Sequence, residues 1–192
     1  MSDVLELYAS ALHEFGRRVH AVPTDRWDAP SPNPGWDVRA LVTHLVEEQL
    51  WAPPLLAGAR IGDIGQGFPG EAVREDPVRA WEAAAAGARA AFTVDGALGW
   101  VVGLSYGERP AEDYCREMTM DLAVHAWDLA RGAGLDDRLD PALLQDLHNR
   151  YVRSAESLAG SRLFAPVVPV GDSADLQVRT LALFGRDART TS

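Results

Sequence analysis

The segment EMTMDLAVHAWDLARG places a carboxylate and an imidazole four residues apart, at Asp121 and His125. On an α-helix, residues at this spacing lie on the same face, one turn apart. Met118, Leu122 and Leu129 add apolar side chains at helical spacing, so this face is expected to point into the core. A carboxylate and an imidazole facing a core are costly unless they pair or bind a metal. The spacing therefore predicts either a hydrogen-bonded pair or two ligands of a divalent metal.

A third candidate ligand is His44, in the segment LVTHLVEEQ, three residues after Leu41. If its helix lies beside the helix of Asp121 and His125, the three groups can meet across the core. Three protein ligands leave one position open for water or substrate, which is typical of a catalytic metal. A lone histidine near an apolar stripe is more often a satisfied core residue, so both interpretations of His44 stand.

Two acidic positions near these residues have alternative interpretations. Glu48 follows His44 by one helical turn and is a possible fourth ligand, although Glu47 and Glu48 are also expected to be solvated. Asp128 follows His125 by three residues, where it could accept a hydrogen bond from the imidazole or simply carry surface charge.

Other reactive or aromatic residues receive structural interpretations. Cys115 has no activating neighbour in the sequence, so a structural thiol is expected. Trp36 and Trp127 are expected to be packing residues, either of which could line a pocket. The remaining histidines have no partner at ligand spacing and are expected not to bind a metal: His13, His20 and His148.

These residues must be positioned by helices. The first helix is predicted from apolar residues at three- and four-residue steps, and it stops before Pro23. The segment from Trp27 to Trp36 is rich in proline and is predicted to be a loop. Asp37 is the predicted N-cap of a second helix. That helix is predicted to end near Trp51 or Ala52, because two prolines follow.

The middle of the chain is predicted to contain a loop, two helices and a connection between them. The glycine-rich stretch Gly58 to Gly70 is predicted to be an exposed loop. The third helix is predicted to begin at Pro77 and to include the alanine-rich WEAAAAGARAAF. The stretch from Gly96 to Glu108 could form a short hairpin or an irregular crossover. The fourth helix is predicted to begin near Pro110 to Glu112 and to run to about Arg131, before two glycines.

The last part of the chain is predicted to contain two further helices. Pro141 opens a fifth helix that is expected to reach Leu158 or Ala159. An extended piece, LFAPVVPV, precedes a short final helix from Ala174 to Phe184. With no repeat or linker, residues 1–192 are predicted to form a single domain, an α-helical bundle.

Composition excludes several classes of function. The chain has 192 residues, of which 47% are hydrophobic and 24% charged, as in globular proteins. A net charge of −10 disfavours nucleic-acid binding, which relies on clustered cations. No apolar run is long enough for a membrane span, and the start lacks signal-peptide features, so a cytoplasmic protein is expected. Because there is one cysteine, any metal must be bound by His, Asp or Glu.

Three segments together resemble a known family: WDVRALVTHLVEE, MDLAVHAWDLARGAG and the closing LFAPVVPV…LQVRTLALFGRD. They are similar to actinobacterial metal-binding proteins of the DinB-like superfamily, which are related to the N-terminal domain of mycothiol-dependent maleylpyruvate isomerase. The most specific feature is a histidine in the second helix followed by the D-x-x-x-H-A-W-D-L-A run in the fourth. The resemblance spans nearly the whole chain.

The resemblance implies an all-α fold, a DinB-like four-helix bundle with additional short helices and a small extended C-terminal segment. It also implies a divalent metal, commonly zinc or nickel, bound by three residues that match His44, Asp121 and His125. In the isomerase the first member of the helical pair is a glutamate, whereas this sequence has Asp121. No second domain like that of the isomerase is expected, because the tail after the fifth helix is short.

The resemblance leads to a functional hypothesis with several alternatives. The leading one is a metal-dependent thiol S-transferase or isomerase that uses a low-molecular-weight thiol such as mycothiol on a small-molecule substrate. A metal-dependent hydrolase and a non-catalytic module for a metal or small ligand are the alternatives, followed by a metal-free bundle. A homodimer is left open.

Overall fold

The computed structural model describes residues 3–64, 70–154 and 165–189. The chain divides into two compact units, Met1–Leu135 and Asp136–Ser192, and each is described by itself. Within the described ranges, no helix combines the length and the apolar character needed to cross a membrane.

Within its described residues, the first unit contains five α-helices, short 3₁₀ turns and one hairpin. Its elements are α1 Val4–Ala21, α2 Val38–Leu56, α3 Gly70–Glu75, α4 Pro77–Phe92, β1 Val101–Leu104, β2 Gly107–Pro110 and α5 Ala111–Ala133. Helix α5 is therefore the helix that the sequence predicts as the fourth.

Aspartates fix the starts of three of these helices. The side chains of Asp3, Asp37 and Asp76 accept hydrogen bonds from backbone N–H groups in the first turns of α1, α2 and α4. Each cap satisfies an amide that has no partner within the helix and contributes about 1 kcal/mol. Helix α5 ends at Ala133 and is capped by Gly134, whose φ of 72° is the left-handed conformation that favours glycine.

Helices α1, α2, α4 and α5 pack together as a four-helix bundle, as the family resemblance implies. Helix α1 packs on α4 and α5, and α2 packs on the same two helices. Large side chains from all four fill the core, among them Phe15, Leu45, Phe92 and Leu122, each at most 1% exposed. Because α2 and α5 are neighbours, the helices that carry the candidate ligands face each other.

The connection between α4 and α5 is a hairpin, one of the two alternatives left open by the sequence. Strands β1 and β2 pair antiparallel, with Val101 opposite Pro110 and Leu104 opposite Gly107. The hairpin packs against α2 and α5. It therefore lies beside the two helices that carry the candidate ligands.

The predicted end of α2 at Trp51 or Ala52 is wrong, because the helix continues through Pro53 and Pro54 to Leu56. The carbonyl groups of both prolines accept hydrogen bonds from amides further along the chain, which completes the last turn. Leu55 and Leu56 are buried at its end. Their burial offsets the two amide hydrogen bonds that the prolines cannot donate.

The glycine-rich stretch is more structured than the sequence suggests. A 3₁₀ turn covers Ile61–Asp63, and α3 begins at Gly70, before the helix predicted from Pro77. Residues 65–69 lie outside the described ranges. A six-residue helix has little stability by itself, and its periodicity is too short to read. Val73 is completely buried, so tertiary packing stabilises this turn.

The second unit contains α6 Pro141–Tyr151 and α7 Leu176–Leu183. The predicted end of α6 at Leu158 or Ala159 is wrong: the amide of Ser154 donates to the carbonyl of Tyr151, three residues back, which ends the α-helical pattern. Leu158, Ala159 and the first two residues of LFAPVVPV lie outside the described ranges. Residues 165–170 are neither helix nor strand, and the final helix is confirmed with slightly narrower bounds.

Candidate metal centre

His44, Asp121 and His125 converge between α2 and α5. One ligand atom from each side chain lies within 4.8 Å of the ligand atoms of the other two. The Nε2 atom of His44 is 3.3 Å from Oδ2 of Asp121, and the Nε2 atom of His125 is 3.5 Å from Oδ1. The carboxylate thus lies between two imidazoles. Two nitrogens and one oxygen form a donor set that suits zinc and other divalent transition metals.

The buried side of His125 is fixed by a second carboxylate. Asp128 is completely buried, and its Oδ2 lies 2.9 Å from Nδ1 of His125. When Asp128 is ionised it can only accept a hydrogen bond, which places the proton on Nδ1 of His125 and leaves the Nε2 lone pair for the candidate centre. Carboxylates behind ligating histidines orient the ring and increase its basicity. Of the two interpretations of Asp128, the hydrogen-bond acceptor is therefore the correct one.

Trp36 forms an aromatic wall next to both imidazoles. Its ring centroid lies 4.8 Å from that of His44, edge to face, and 5.9 Å from that of His125, nearly parallel. The loop that carries it is held by a hydrogen bond from the amide of Ser31 to the Trp36 carbonyl, 2.9 Å long. Trp36 therefore lines the site as well as packing. Trp127 is buried in the bundle, under the guanidinium of Arg131.

One side of the centre is accessible to solvent. The side chains of His44 and Asp121 are 27% and 22% exposed, whereas that of His125 is 7% exposed. A group bound among the three ligand atoms would therefore be anchored on its inner side by His125 and reached from outside past His44. This asymmetry is typical of a catalytic site rather than a closed structural one.

Two further acidic side chains lie on the same two helices, each one turn from a candidate ligand. Glu48, one turn after His44, is half-buried, and its pKa is raised to about 7 by desolvation and by the charge of Asp121, which His44 partly offsets. Glu117, one turn before Asp121, accepts a hydrogen bond from the hydroxyl of Tyr106 on the hairpin. Glu48 is not among the residues whose ligand atoms converge, although the charges of Asp121 and His44 act on it.

The single cysteine lies outside this chemistry. Cys115 is completely buried, and desolvation raises the pKa of its thiol to about 12. A thiol with so high a pKa is not a thiolate near neutral pH, so it does not act as a nucleophile. Any thiol chemistry at the centre needs a thiol from outside the chain.

The residues present fit a divalent metal on chemical grounds. The triad offers three ligands of the right types, and the buried Asp128 holds one of them in the ligating tautomer. Among the described residues, this is the group of His, Cys, Asp and Glu side chains that could hold a metal.

Sequence reasoning missed Tyr106 and Tyr114 and underestimated Glu48. Tyr106 comes from a hairpin whose packing cannot be read from spacing, and it reaches Glu117 eleven residues away. Tyr114, on α5, is buried beside Glu48, whose charge contributes to raising its pKa. The only available signal was the four-residue spacing of Glu117 and Asp121, which repeats that of Asp121 and His125.

Comparison with known families identifies a match over most of the bundle. The family model of the mycothiol maleylpyruvate isomerase N-terminal domain matches residues 8–130. Two uncharacterized proteins of Mycobacterium tuberculosis, from strains CDC 1551 and H37Rv, are each 29% identical over 175 residues. Each alignment covers 88% of this chain and 87% of the relative.

Solved structures share the fold. The crystal structure of the mycothiol-dependent maleylpyruvate isomerase aligns with a TM-score of 0.63 at 18% identity, over 81% of this chain and 71% of that chain. A histidine-to-alanine mutant of that isomerase aligns with a TM-score of 0.62 at 17% identity and the same coverage. At these identities the likeness confirms the DinB-like helical fold and carries nothing about the substrate.

Proposed function

Since this chain belongs to the mycothiol maleylpyruvate isomerase N-terminal domain family, we propose that it is a thiol-dependent enzyme with a divalent metal at His44, Asp121 and His125. The metal would be zinc or nickel, and the cosubstrate a low-molecular-weight thiol of the mycothiol type. The reaction would be transfer of the thiol to a small electrophile or isomerisation of that electrophile.

The observation that carries this proposal is the convergence of the three ligand atoms with Asp128 behind one of them. A hydrogen-bonded Asp–His pair needs neither the second imidazole nor the second carboxylate. A metal that is bound by three protein ligands can lower the pKa of a thiol that occupies its open position, which favours the nucleophilic thiolate.

The chain's own residues would perform the rest of the work. His125 and Asp128 hold the inner side of the centre in a single tautomer, so no reorganisation is needed when a ligand binds. The Trp36 ring excludes water from the face that it covers. The exposed edges of His44 and Asp121 leave an entry for a small thiol. Cys115 is buried as the neutral thiol, so it does not compete.

Titration of the cobalt-substituted protein with mycothiol tests the proposal. The tag-free protein is loaded with cobalt, and the near-ultraviolet absorbance is followed as the thiol is added. A thiolate-to-cobalt charge-transfer band that saturates with mycothiol is the expected result. The S-methylated thiol serves as the matched control and should give no band.

Two outcomes would redirect the proposal. If the protein binds cobalt but no thiol produces a band, the centre does not admit sulfur. A hydrolase or a non-catalytic metal-binding module then replaces the thiol-dependent enzyme as the proposed function. If the band forms, turnover of small electrophiles with and without mycothiol follows, and turnover that does not depend on the thiol would contradict the proposal.

A further inference from the structure

A second polar cluster lies one helical turn from the candidate ligands. It consists of Glu48 on α2, Glu117 and Tyr114 on α5, and Tyr106 on the hairpin, and is called the acidic subsite below. The helices that carry the metal centre carry three of these four residues, so the two sites share their supporting elements.

The unsatisfied hydroxyl of Tyr114 indicates that a hydrogen-bonding group binds in the acidic subsite. The residue is 4% exposed, and within the described part of the chain its oxygen makes no hydrogen bond. Tyr114 precedes Glu117 by three residues on α5, so the two side chains lie on the same face of the helix. Desolvation raises the pKa of Tyr114, and the charge of Glu48 adds to the rise. A buried hydroxyl without a partner is rare and costly, and it indicates a group that binds there.

The electrostatics of the acidic subsite favour a donor over an acceptor. Glu47 and Glu117 both act on Glu48 with negative charge. The guanidinium of Arg109 lies 5.7 Å from the centroid of the Tyr106 ring, over its face. A carboxylate brought into this field would be repelled, whereas a hydroxyl or an ammonium would be attracted.

We infer that the acidic subsite binds a hydrogen-bond-donating group, a hydroxyl or an ammonium, on the small thiol whose sulfur reaches the metal centre. Glu48 and Glu117 accept from that group, and the Tyr114 hydroxyl supplies one further polar contact. The subsite disfavours a thiol with a carboxylate in the same position. This inference rests on the proposed function, because it places the sulfur at the metal centre.

A second metal ion is a poorer occupant of the acidic subsite. The described residues with converging ligand atoms are His44, Asp121 and His125, and neither Glu48 nor Glu117 joins them. The two phenols of the subsite are neutral, since burial raises the pKa of both Tyr106 and Tyr114, and a neutral phenol is not a usual ligand of a divalent metal. Phenols and carboxylates together suit an organic donor better.

The test compares small thiols of similar length that carry different polar groups. Propanethiol, 1-thioglycerol, 2-mercaptoethylamine and 3-mercaptopropionate are titrated into the cobalt-substituted protein, and the charge-transfer band gives each dissociation constant. Because these thiols differ in their own acidity, each is compared between wild type and Glu48→Gln. Glu117→Gln provides a second variant, and Glu71→Gln, at an exposed position of α3, is the matched control for the loss of one charge.

The expected result is a change that depends on the end group. Glu48→Gln and Glu117→Gln should each weaken the hydroxylated or the ammonium thiol by about tenfold. The same variants should strengthen binding of the carboxylate thiol and leave propanethiol within about twofold. Glu71→Gln should leave every constant at the wild-type value. Loss of affinity for 1-thioglycerol identifies a hydroxyl as the bound group, and loss for 2-mercaptoethylamine identifies an ammonium.

Three results would overturn the inference. If the thiols bind but the variants change all four constants equally, the acidic subsite does not contact the end group. If Glu48→Gln loses the cobalt, Glu48 is a metal ligand and not a substrate-binding residue. If no thiol gives a band with wild type, the proposed function fails first, and the inference fails with it.

Discussion

Two adjacent turns of α5 present carboxylates to α2, and the surroundings of these carboxylates differ. Asp121 lies between two imidazoles, and the second of these is held from behind by the buried Asp128. Glu117 accepts a hydrogen bond from the hydroxyl of Tyr106 on the hairpin, and the like charge of Glu48 acts on it. On the first turn the polar groups complement each other, and on the second two carboxylates of like charge, Glu48 and Glu117, act on each other.

This difference indicates a division of labour along one pair of helices. A site of mixed imidazole and carboxylate groups has the composition of a metal centre. A site of carboxylates and neutral phenols has the composition of a binding site for hydrogen-bond donors. The same helical repeat, four residues, produces both, and the partner on α2 decides which one forms.

The largest difference between the two turns is expected when the carboxylates of Asp121 and Glu117 are neutralised one at a time. Asp121→Asn should lower the metal affinity by more than about 100-fold, because a ligand itself is lost. Loss of a residue that only supports a ligand lowers the affinity by at most about 100-fold. Glu117→Gln should leave the metal affinity within about twofold of wild type. Competition against a chromophoric chelator measures both. Equal losses in the two variants would mean that the turns do not differ in function.

The next largest effect is expected at the carboxylate behind His125. Asp128→Asn keeps the shape of the side chain but no longer holds the imidazole in one tautomer, so the metal affinity should fall by about 10- to 100-fold. Asp113→Asn, the same substitution at an exposed position of α5, is the control. A wild-type affinity in Asp128→Asn would assign the buried aspartate to folding alone.

Glu48 of the acidic subsite is expected to make the stability of the metal-free protein depend on pH. The pKa of Glu48 rises from 4.5 to about 7, so between these values the folded protein holds more protons than the unfolded chain, and its stability falls as pH rises. From about pH 5 to about pH 8, metal-free wild type should lose about 1 to 2 kcal/mol more unfolding free energy than Glu48→Gln. Urea unfolding at both pH values measures the difference, and parallel curves would contradict it.

The smallest expected effect is a difference in unfolding free energy between variants of two buried tyrosines. The hydroxyl of Tyr8 donates to Oε1 of the buried Gln49, so Tyr8→Phe should destabilise the metal-free protein by about 1 kcal/mol. Tyr114→Phe removes a hydroxyl that makes no hydrogen bond within the described residues, so it should be neutral or slightly stabilising. Urea unfolding of both variants tests this pair. A larger loss for Tyr114→Phe would show that its hydroxyl is already satisfied.

Much of the fold could be predicted because the long helices carry strong periodic signals and aspartate caps. The fourth predicted helix agrees with α5 within a few residues at each end. The errors fall where tertiary contacts outweigh local preference. Burial of Leu55 and Leu56 carries α2 through two prolines, and burial of Val73 stabilises a helix too short to recognise. The predicted single domain over residues 1–192 stays a prediction.

The candidate site could be predicted only where one helix supplies the residues. The spacing of Asp121 and His125 is a property of the sequence, and so is the position of Asp128 behind the imidazole. The partnership with His44 depends on which helices are neighbours, and family resemblance supplied it. The acidic subsite depends on the hairpin and on burial, neither of which is encoded in local spacing.

The most direct measurement of the central claim is the metal content of the tag-free protein. Wild type, His125→Ala and His13→Ala are purified in parallel and examined by elemental analysis, with His13 chosen because it is exposed on α1. Wild type and His13→Ala should hold about one zinc or nickel ion per chain, and His125→Ala close to none. Equally little metal in wild type and His125→Ala would contradict the account, and the triad would then be a hydrogen-bonded cluster.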